Sequence, residues 1–357
     1  MLSQSRRLSW PSKETVLKMS TRTLVILMCL AATATFAQVS DAPDVTFKLA
    51  TFEADAVERV GILIGDRLLD LQHANADLQT RTDVAALALP HDMKTLIEQS
   101  ETSKPRLFQI ANYFSGRTAD LAYSYDPDEV AVKAPIKYPW NLLAAGQNYR
   151  AHAAEMGGAT DIDPDRDNPF LFAKSPRSTI IDPGEPYVIP PGRDRIDWEG
   201  EFAIVVGRQA KNVTLENAMD HVFGFTIVYD VSDRAAQMPV NGRYARDWFS
   251  GKSMDNAAPM GPYIVPKEFL PNHADLRVTT RVNGKIMQDS NTSYLIHNVE
   301  RLLRFVTSRM TLWPGDVIAT GTPSGVGNGR KPPVYLKPGD TVAIEIEGIG
   351  TLVTPIE

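Results

Sequence analysis

The chain has 357 residues and carries 43 acidic against 37 basic side chains, which gives a net charge of −6. Residues 1–37 hold five of the basic side chains and one of the acidic ones, so the remainder carries a net charge of about −10. A chain this negative is a poor ligand for nucleic acid or for anionic lipid, and we expect neither as a partner.

The first predicted element is a secretory signal peptide at residues 1–37. Arg22 precedes an apolar run at 24–34 that is too short to span a bilayer. The only cysteine of the chain, Cys29, lies in this run, so the exported protein would contain none. We predict cleavage after Ala37, export to the periplasm and no membrane association afterwards. A buried N-terminal helix or a retained anchor is the alternative.

A small N-terminal domain is predicted at residues 45–134. Residues 47–52 alternate as in a strand, and Gly65-Asp66-Arg67 lies between two apolar runs, which is typical of a hairpin. A helix is predicted at 93–99, and the polar, acidic run at 125–129 is predicted to be a linker.

Residues 135–357 are predicted to form a larger domain that is rich in strands. Asn283-Gly284 separates two β-prone runs, as in a type I′ hairpin, and apolar residues at helical spacing predict a helix at 294–306. Six short β-prone runs are bounded by Gly, Pro or Asp, at 141–145, 202–206, 223–229, 276–282, 317–320 and 341–346. Because few helices separate these runs, we predict an α+β fold with a mixed, β-rich core rather than a doubly wound sheet.

Two glutamates stand where a buried strand begins. Glu199-Gly200-Glu201 runs directly into residues 202–206, which are apolar on both faces and are therefore predicted to be buried on both sides. Residues two apart on a strand share a face, so the two carboxylates start about 7 Å apart. Such like charges are unfavourable unless a cation or a proton relieves them. Gly200 leaves room for a close approach to the backbone. A solvated strand end is the alternative.

Asp230 extends this pattern, because it ends another run, 223–229, that is apolar on both faces. Three carboxylates at the ends of two buried strands are hard oxygen ligands. They suit Mg²⁺, with Mn²⁺ or Ca²⁺ as alternatives, rather than zinc. Asp230 could instead begin a turn or cap a helix at 232–237.

His152 and Glu155 lie where a predicted strand passes into a short helix. Being three residues apart, they share one helical face. A carboxylate beside an imidazole fixes its tautomer and raises its basicity, which prepares a general base. Gly157-Gly158 and the polar run at 161–167 indicate a lid. An ordinary surface pair is the alternative.

Eight short motifs between residue 143 and the C-terminus resemble the fumarylacetoacetate hydrolase family and stand in that family's order. They are Gly146-x-Asn148-Tyr149-x-x-His152-x-x-Glu155, Pro169-Phe170-Leu171-Phe172-x-Lys174, Asp197-Trp198-Glu199-Gly200-Glu201, Asp230-Val231-Ser232-x-Arg234-x-x-Gln237, Gly251-Lys252-Ser253, Pro259-Met260-Gly261-Pro262, Gly321-Thr322-Pro323-x-Gly325-Val326-Gly327 and Leu336-x-Pro338-Gly339-Asp340. One departure is Tyr229, which stands before Asp230 where family members often carry Asn.

The resemblance implies a β-roll catalytic domain at 135–357, a smaller N-terminal domain and a homodimer. It implies that Glu199, Glu201 and Asp230 bind Mg²⁺ or Mn²⁺, which the 2-oxo-acid part of a small-molecule substrate would chelate. His152 and Glu155 would activate a water molecule. The remaining implied site residues are the catalytic Lys252 and the substrate-binding Tyr149, Lys174, Arg234, Gln237 and Thr322.

The leading hypothesis is therefore a metal-dependent hydrolase that cleaves a C–C bond in an acylpyruvate or a related β-diketo acid. The same constellation can stop at the enolate, as a tautomerase, isomerase, hydratase or oxaloacetate-type decarboxylase would. The His152–Glu155 pair favours hydrolysis, because an activated water matters less to the other reactions. An exported protein that binds oxo acids is a third hypothesis, although binding alone needs no general base.

Overall fold

The computed structural model describes residues 38–238 and 245–357. The predicted signal peptide and its cysteine lie outside the described residues, so export stays a prediction. Within the described part of the chain, the helices are too short or too polar to cross a membrane.

The N-terminal part is an antiparallel sheet covered by helices. Its five strands are β1 (Phe47–Ala54), β2 (Val57–Ile64), β3 (Arg67–Asp70), β4 (Ser124–Tyr125) and β5 (Ala131–Lys133). They pair in the order β4-β3-β2-β1-β5. The predicted hairpin is confirmed, because β2 and β3 pair across a loop of two residues, Gly65 and Asp66. The predicted linker at 125–129 is largely a single turn of 3-10 helix, Pro127–Glu129.

Three helices belong to this part of the chain: α1 (Leu71–Arg81), α2 (Met93–Glu98) and α3 (Ser100–Phe114). Only α2 was predicted. The core-facing side of α1 includes Ala74 and the polar Asn75, which hide its amphipathic pattern. Pro105 lies inside α3, where a proline normally ends a helix, and this masks the apolar stripe that follows it.

The remainder of the chain contains fourteen further strands among the described residues. In chain order they are β6 (Leu142–Gly146), β7 (Phe170–Lys174), β8 (Ile180–Ile181), β9 (Ile196–Asp197), β10 (Gly200–Val206), β11 (Val222–Tyr229), β12 (Ser232–Asp233), β13 (Ala258–Pro259), β14 (Val265–Pro266), β15 (Arg277–Val282), β16 (Lys285–Asn291), β17 (Val317–Ala319), β18 (Thr341–Ile346) and β19 (Gly350–Pro355). The main sheet has the order β14-β11-β10-β17-β6-β7 and is mixed, because β17 and β6 run parallel while its other neighbours are antiparallel.

A second sheet has the order β16-β15-β18-β19 and is antiparallel throughout. Its hairpin turns at Asn283 and Gly284, whose φ angles of 50° and 77° confirm the predicted type I′ turn. This sheet packs over the start of β10. A Cβ added at Gly200 would lie 2.3 Å from Thr280 Oγ1, so the close neighbour of this glycine is a strand and not a ligand.

Four more helices connect these strands: α4 (Arg150–Glu155), α5 (Pro176–Thr179), α6 (Trp248–Lys252) and α7 (Val299–Arg309). The helix predicted at 294–306 therefore begins later, after the Asn298 side chain accepts a hydrogen bond from Arg301 N–H at 3.1 Å. The predicted α+β class is confirmed.

Strand β10 lies between two apolar clusters, and all its residues are buried. Phe202, Ile204 and Val206 belong to one cluster, whereas Ala203 and Val205 belong to the other. All residues of β11 are buried as well, so both strands are buried on both faces, as predicted.

The second of these clusters joins the two parts of the chain. It contains Leu49 and Ile110 from the N-terminal part as well as Ala203 and Val317 from the main sheet. The division into domains at residues 45–134 and 135–357 therefore stays a prediction, since the two parts share one core.

Candidate active site

Three buried carboxylates meet at the ends of β10 and β11. Glu199 precedes β10, Glu201 is its second residue and Asp230 follows the last residue of β11. The register pairs Gly200 with Tyr229, and Asp230 N–H donates to the Glu199 carbonyl oxygen at 2.9 Å. One carboxylate oxygen from each acid lies within 4.8 Å of the others. The two strands thus bring together the three acids that the sequence predicted as metal ligands.

Two buried lysines contact these acids. Lys252, the last residue of α6, donates from Nζ to Glu199 Oε2 and Asp230 Oδ2 at 2.5 Å each and to Ser232 Oγ at 2.7 Å. Lys174, at the end of β7, donates from Nζ to Asp230 Oδ1 at 2.6 Å and to the backbone oxygen of Lys252. Burial lowers the pKa of Lys174. Burial also acts to lower the pKa of Lys252, but the charges of Asp230 and Glu199 outweigh it and raise that pKa.

The charges in this cluster are unevenly matched. Burial raises the pKa of Glu199, yet the cations of Lys252 and Arg234 outweigh it and leave that pKa below its usual range. For Glu201, burial and the charges of Asp230 and Glu199 all raise the pKa well above its usual range. Glu201 accepts a hydrogen bond from Gly321 N–H at 2.8 Å, but no cationic side chain in 38–238 or 245–357 forms an ion pair with it.

A divalent cation fits this donor set. The three carboxylates supply only hard oxygen atoms, which suit Mg²⁺, Mn²⁺ or Ca²⁺. A cation would also supply the positive charge that Glu201 lacks, because the two lysines are bonded to the other two acids.

Asp197 and Arg234 form a second buried layer behind the acids. Arg234 donates from Nε to Asp197 Oδ2 at 2.8 Å and from Nη2 to Glu199 Oε1 at 2.5 Å. Asp197 also accepts from the N–H groups of Gly327 and Asn328, at 2.6 and 3.0 Å. The sequence analysis assigned no role to Asp197. Its position two residues before Glu199 was the available signal.

His152 and Glu155 form a hydrogen-bonded pair on α4. His152 Nδ1 lies 2.8 Å from Glu155 Oε1, and the His152 side chain is only 6% exposed. Glu155 Oε2 accepts a second bond, from Gly325 N–H at 2.9 Å. The pair is therefore buried against another loop, unlike an ordinary surface pair.

A cavity of about 460 Å³, including its mouth, opens onto these groups. The predicted site residues that line it are His152, Glu199, Glu201, Arg234, Gln237, Lys252 and Thr322. Three predicted site residues do not line the cavity but contact residues that do. Glu155 bonds His152, Asp230 bonds the side chain of Lys252, and Lys174 bonds the backbone oxygen of Lys252.

Tyr149 does not line this cavity, although burial and then the charge of Glu201 raise the pKa of its hydroxyl. Its ring is buried and lines a different cavity, together with Arg150 and Tyr294. Thr322 does line the main cavity, where its hydroxyl donates to the Gly200 carbonyl oxygen at 3.1 Å and accepts from Gln288 Nε2 at 2.8 Å.

The sequence analysis assigned no role to several other residues at the cavity. Gln288 is buried, and besides bonding Thr322 its Oε1 accepts from Gly200 N–H at 3.1 Å. Phe172 and Trp248 stack with their ring centroids 5.2 Å apart and form an apolar wall. Arg246 also lines the cavity. Phe172 and Gln288 are distant in the chain from Arg246 and Trp248, which are close to each other, so no local pattern in the sequence relates the whole set.

A family model described as the fumarylacetoacetate (FAA) hydrolase C-terminal domain matches residues 141–357. Oxaloacetate tautomerase FAHD2A, mitochondrial, from Bos taurus is 37% identical over 263 residues, which is 74% of this chain and 80% of the relative. Oxaloacetate tautomerase YisK from Bacillus subtilis is 36% identical over 311 residues, which is 85% of this chain and 98% of the relative.

A solved structure gives the same result for the fold. The fumarylacetoacetate hydrolase of the psychrophile Exiguobacterium antarcticum superposes with a TM-score of 0.70 at 34% identity, covering 87% of this chain and 99% of that one. These relatives are enzymes, although they are named for different reactions. The predicted family is confirmed, and the chain belongs to the fumarylacetoacetate hydrolase family.

Proposed function

We propose that this protein is a divalent-metal-dependent keto–enol tautomerase of a small 2-oxo acid, with Mg²⁺ as the metal and oxaloacetate as the first substrate to test. Two relatives that are 37% and 36% identical to this chain over the aligned residues are named oxaloacetate tautomerases. This was an alternative in the sequence analysis, and it now has more support than the predicted C–C hydrolase.

The observation that carries this proposal is the bonding of Lys252. The hydrolase hypothesis assigns to Lys252 the oxyanion that forms when water attacks a carbonyl. All three N–H groups of this ammonium are instead donated, to Glu199, Asp230 and Ser232. Tautomerisation adds no water and forms no such oxyanion, so it does not need Lys252 to be free.

Glu199, Glu201 and Asp230 would hold the metal ion. Bound there, the ion would supply a Lewis acid that stabilises the negative charge of an enolate. Lys252 and Lys174 keep Glu199 and Asp230 in place, and Arg234 fixes the second oxygen of Glu199. Gln237 lines the cavity, and its Nε2 has no hydrogen-bond partner in the described part of the chain, so it can donate to a substrate oxygen.

His152 is the group that would move the proton. Because Glu155 accepts a hydrogen bond from Nδ1–H, Nε2 is left as the basic nitrogen of a side chain that lines the cavity. In the direction from keto to enol, Nε2 takes a proton from C3 of the 2-oxo acid. The electron pair of that C–H bond forms the C2–C3 double bond while the π pair of the C2=O bond moves onto the keto oxygen, and the imidazolium gives the proton to that oxygen.

Hydrolysis of an acylpyruvate is the second candidate, and two observations favour it. The His152–Glu155 bond of 2.8 Å would also suit the activation of a water molecule. The unpartnered Nε2 of Gln237 could serve as the oxyanion donor in place of Lys252.

The experiment compares the two reactions with one enzyme preparation. The protein, loaded with Mg²⁺, is mixed with the enol form of oxaloacetate, and ketonisation is followed by ultraviolet absorbance. In parallel it is incubated with acylpyruvates, and release of pyruvate is assayed with lactate dehydrogenase. We expect ketonisation well above the background rate and no release of pyruvate.

Rapid release of pyruvate together with a carboxylic acid, with ketonisation at the background rate, would overturn the proposal in favour of hydrolysis. A chelator-treated sample is the matched control, because both reactions should then fall to background. Binding of 2-oxo acids without turnover of either substrate would instead support the binding-protein hypothesis.

Export and dimer formation are proposals of a different kind, because they concern the whole chain. The signal peptide predicted at residues 1–37 should be absent from the protein recovered from the periplasmic fraction, with an N-terminus near Gln38 by mass spectrometry. Full-length chain in the cytosol would contradict export. The predicted homodimer is tested by light scattering of the same sample.

A further inference from the structure

The charged side chains that line the active-site cavity are unequal in number. Among residues 38–238 and 245–357, they comprise two carboxylates, Glu199 and Glu201, and three cations, Arg234, Arg246 and Lys252. Arg234 and Lys252 both form ion pairs with Glu199. Of these three described cations, Arg246 is therefore the one whose positive charge is not paired with a carboxylate.

Arg246 is exposed at the mouth of this cavity. Its Nη1 donates to the sulfur of Met238 at 3.2 Å, a weak acceptor, and no carboxylate of residues 38–238 or 245–357 forms an ion pair with it. The residues between 238 and 245 include no Asp or Glu. Arg246 is thus available for an anionic group of a ligand.

The backbone ties Arg246 to the catalytic residues. The next residue, Asp247, donates from N–H to the Gln237 carbonyl oxygen at 2.9 Å, and its carboxylate caps α6 by accepting from Ser250 N–H at 2.9 Å. The same helix ends at Lys252. Arg246 therefore precedes the short helix that Lys252 ends, and these contacts fix its backbone relative to Lys252.

The rest of the wall nearby is apolar. Phe172 and Trp248 line the cavity and stack on each other, and Phe170 lies 4.9 Å from Trp248 between ring centroids. Carbon atoms of a substrate can pack on this wall, but a charged group there would lose its hydration without a partner. Arg246 is the group that can receive such a charge, and a guanidinium binds a carboxylate through two parallel hydrogen bonds.

We propose that Arg246 binds a second carboxylate of the substrate, so that the cavity selects 2-oxo dicarboxylic acids over 2-oxo monocarboxylic acids. This inference rests on the proposed function, because it assumes that the 2-oxo acid end of the substrate lies at the buried carboxylates. It adds a specificity-determining residue and a substrate class to the proposed tautomerase.

The test uses two substrates that differ only in the second carboxylate, oxaloacetate and its 4-methyl ester. Ketonisation of each is measured with the wild-type protein and with Arg246→Gln, Arg246→Lys and Arg304→Gln. Arg304 is exposed on α7 away from the cavity and serves as the matched control. We expect Arg246→Gln to raise the KM for oxaloacetate about tenfold, as loss of one charge-assisted contact does, with the ester changed less than about twofold.

The conservative variant adds a second readout. Arg246→Lys keeps the charge but not the paired hydrogen bonds, so its KM for oxaloacetate should lie between those of the wild type and Arg246→Gln. Equal losses on both substrates, or no change on either, would overturn the inference while leaving the tautomerase intact. Failure of the wild-type protein to convert either substrate would instead reject the proposed function itself.

Discussion

The two sides of the active-site cavity are built in different ways. On one side, Glu199, Glu201 and Asp230 extend from β10 and β11, two strands whose residues are all buried. On the other side, His152 and Glu155 lie on α4, a helix of six residues. A helix this short is marginal by itself and depends on its contacts with the rest of the protein.

The positions of the three acids are therefore set by the core of the fold, whereas the position of His152 is set by a few polar contacts. Moving one of the three acids would disturb two apolar clusters at once, because β10 packs against both. The histidine side is positioned largely by Glu155, which bonds both His152 and Gly325 N–H. We infer that stabilisation of an enolate is the constant part of this site, and that proton transfer is the part most open to change.

The largest expected effect comes from the buried acids. Glu201→Gln removes a carboxylate that has no cationic partner among the described residues while keeping its shape. Loss of the metal's Lewis acid should lower turnover more than about 10³-fold, since that contribution is several kcal/mol. Titration calorimetry with Mg²⁺ or Mn²⁺ should show weakened binding.

The same variant should make the metal-free protein more stable. The pKa of Glu201 is raised, so its charged form is disfavoured in the folded state near neutral pH, and a neutral amide removes this penalty. Measured in excess chelator, the Tm should rise by about 2–4 °C. The exposed Glu216 gives the matched control, Glu216→Gln. A lower Tm of Glu201→Gln than of the wild type in excess chelator would mean that charge repulsion among the three acids does not destabilise the metal-free protein.

The next effect concerns the proton-transfer side. His152→Ala should lower the rate of ketonisation on the order of 10²–10⁴-fold, because it removes the general base. Mg²⁺ affinity should stay within about twofold of wild type, because His152 holds no metal ligand in place. Unchanged turnover would mean that this pair serves structure alone and that another group moves the proton.

A smaller effect is expected for Glu155, which contacts His152 rather than the substrate. Glu155→Gln still accepts a hydrogen bond from His152 but loses the negative charge that stabilises the imidazolium, so turnover should fall about tenfold. Its amide nitrogen would also oppose Gly325 N–H, and cleavage by proteases near α4 should increase. If the variant has wild-type kinetics but is cleaved faster, Glu155 holds α4 against the Gly325 loop and does not raise the basicity of His152.

The smallest effect belongs to the outer loop of the same side. Asp165 pairs with Arg301 of α7 at 2.6 Å, and this hydrogen bond lowers the pKa of the exposed carboxyl group. A lowered pKa means that the ion pair is complete above the ordinary Asp value and is lost as pH falls through the lowered one. Asp165→Asn should change limited proteolysis of residues 156–169 less than about twofold at neutral pH, and the difference should vanish only as the pH falls through the lowered pKa of Asp165. A large effect would show that this loop is held more firmly than α4.

The same contrast explains how much of the site was predictable. The three acids could be found because each stands at one end of a run that is apolar on both faces, a pattern that a sequence displays directly. The roles of Asp197 and Gln288 could not, because each bonds backbone groups more than eighty residues away, with separations of 130 and 88 residues. Such contacts depend on the packing of loops, which no local periodicity encodes.

The fold shows a similar limit. Hairpins with Gly65-Asp66 and Asn283-Gly284 were predictable because their turns require specific backbone angles. Helices α1 and α3 were not predicted, because a buried Asn75 in α1 and an internal Pro105 in α3 depart from the usual helical pattern. Gln147 lines the main cavity, whereas Tyr149, two residues later, lines a different one. Sequence position alone could not distinguish these two residues.

The order of the strands in the main sheet has a consequence for folding of the chain during its synthesis on the ribosome. Strand β10 can pair with β11 soon after both are made, but its other neighbour, β17, is synthesised much later. Gly321, whose N–H binds Glu201, lies 120 residues downstream of it. A nascent chain that has reached β11 therefore carries all three acids but lacks the strand that closes their surroundings. Metal capture should follow completion of the chain, since the buried setting of the acids does not exist before β17 is in place.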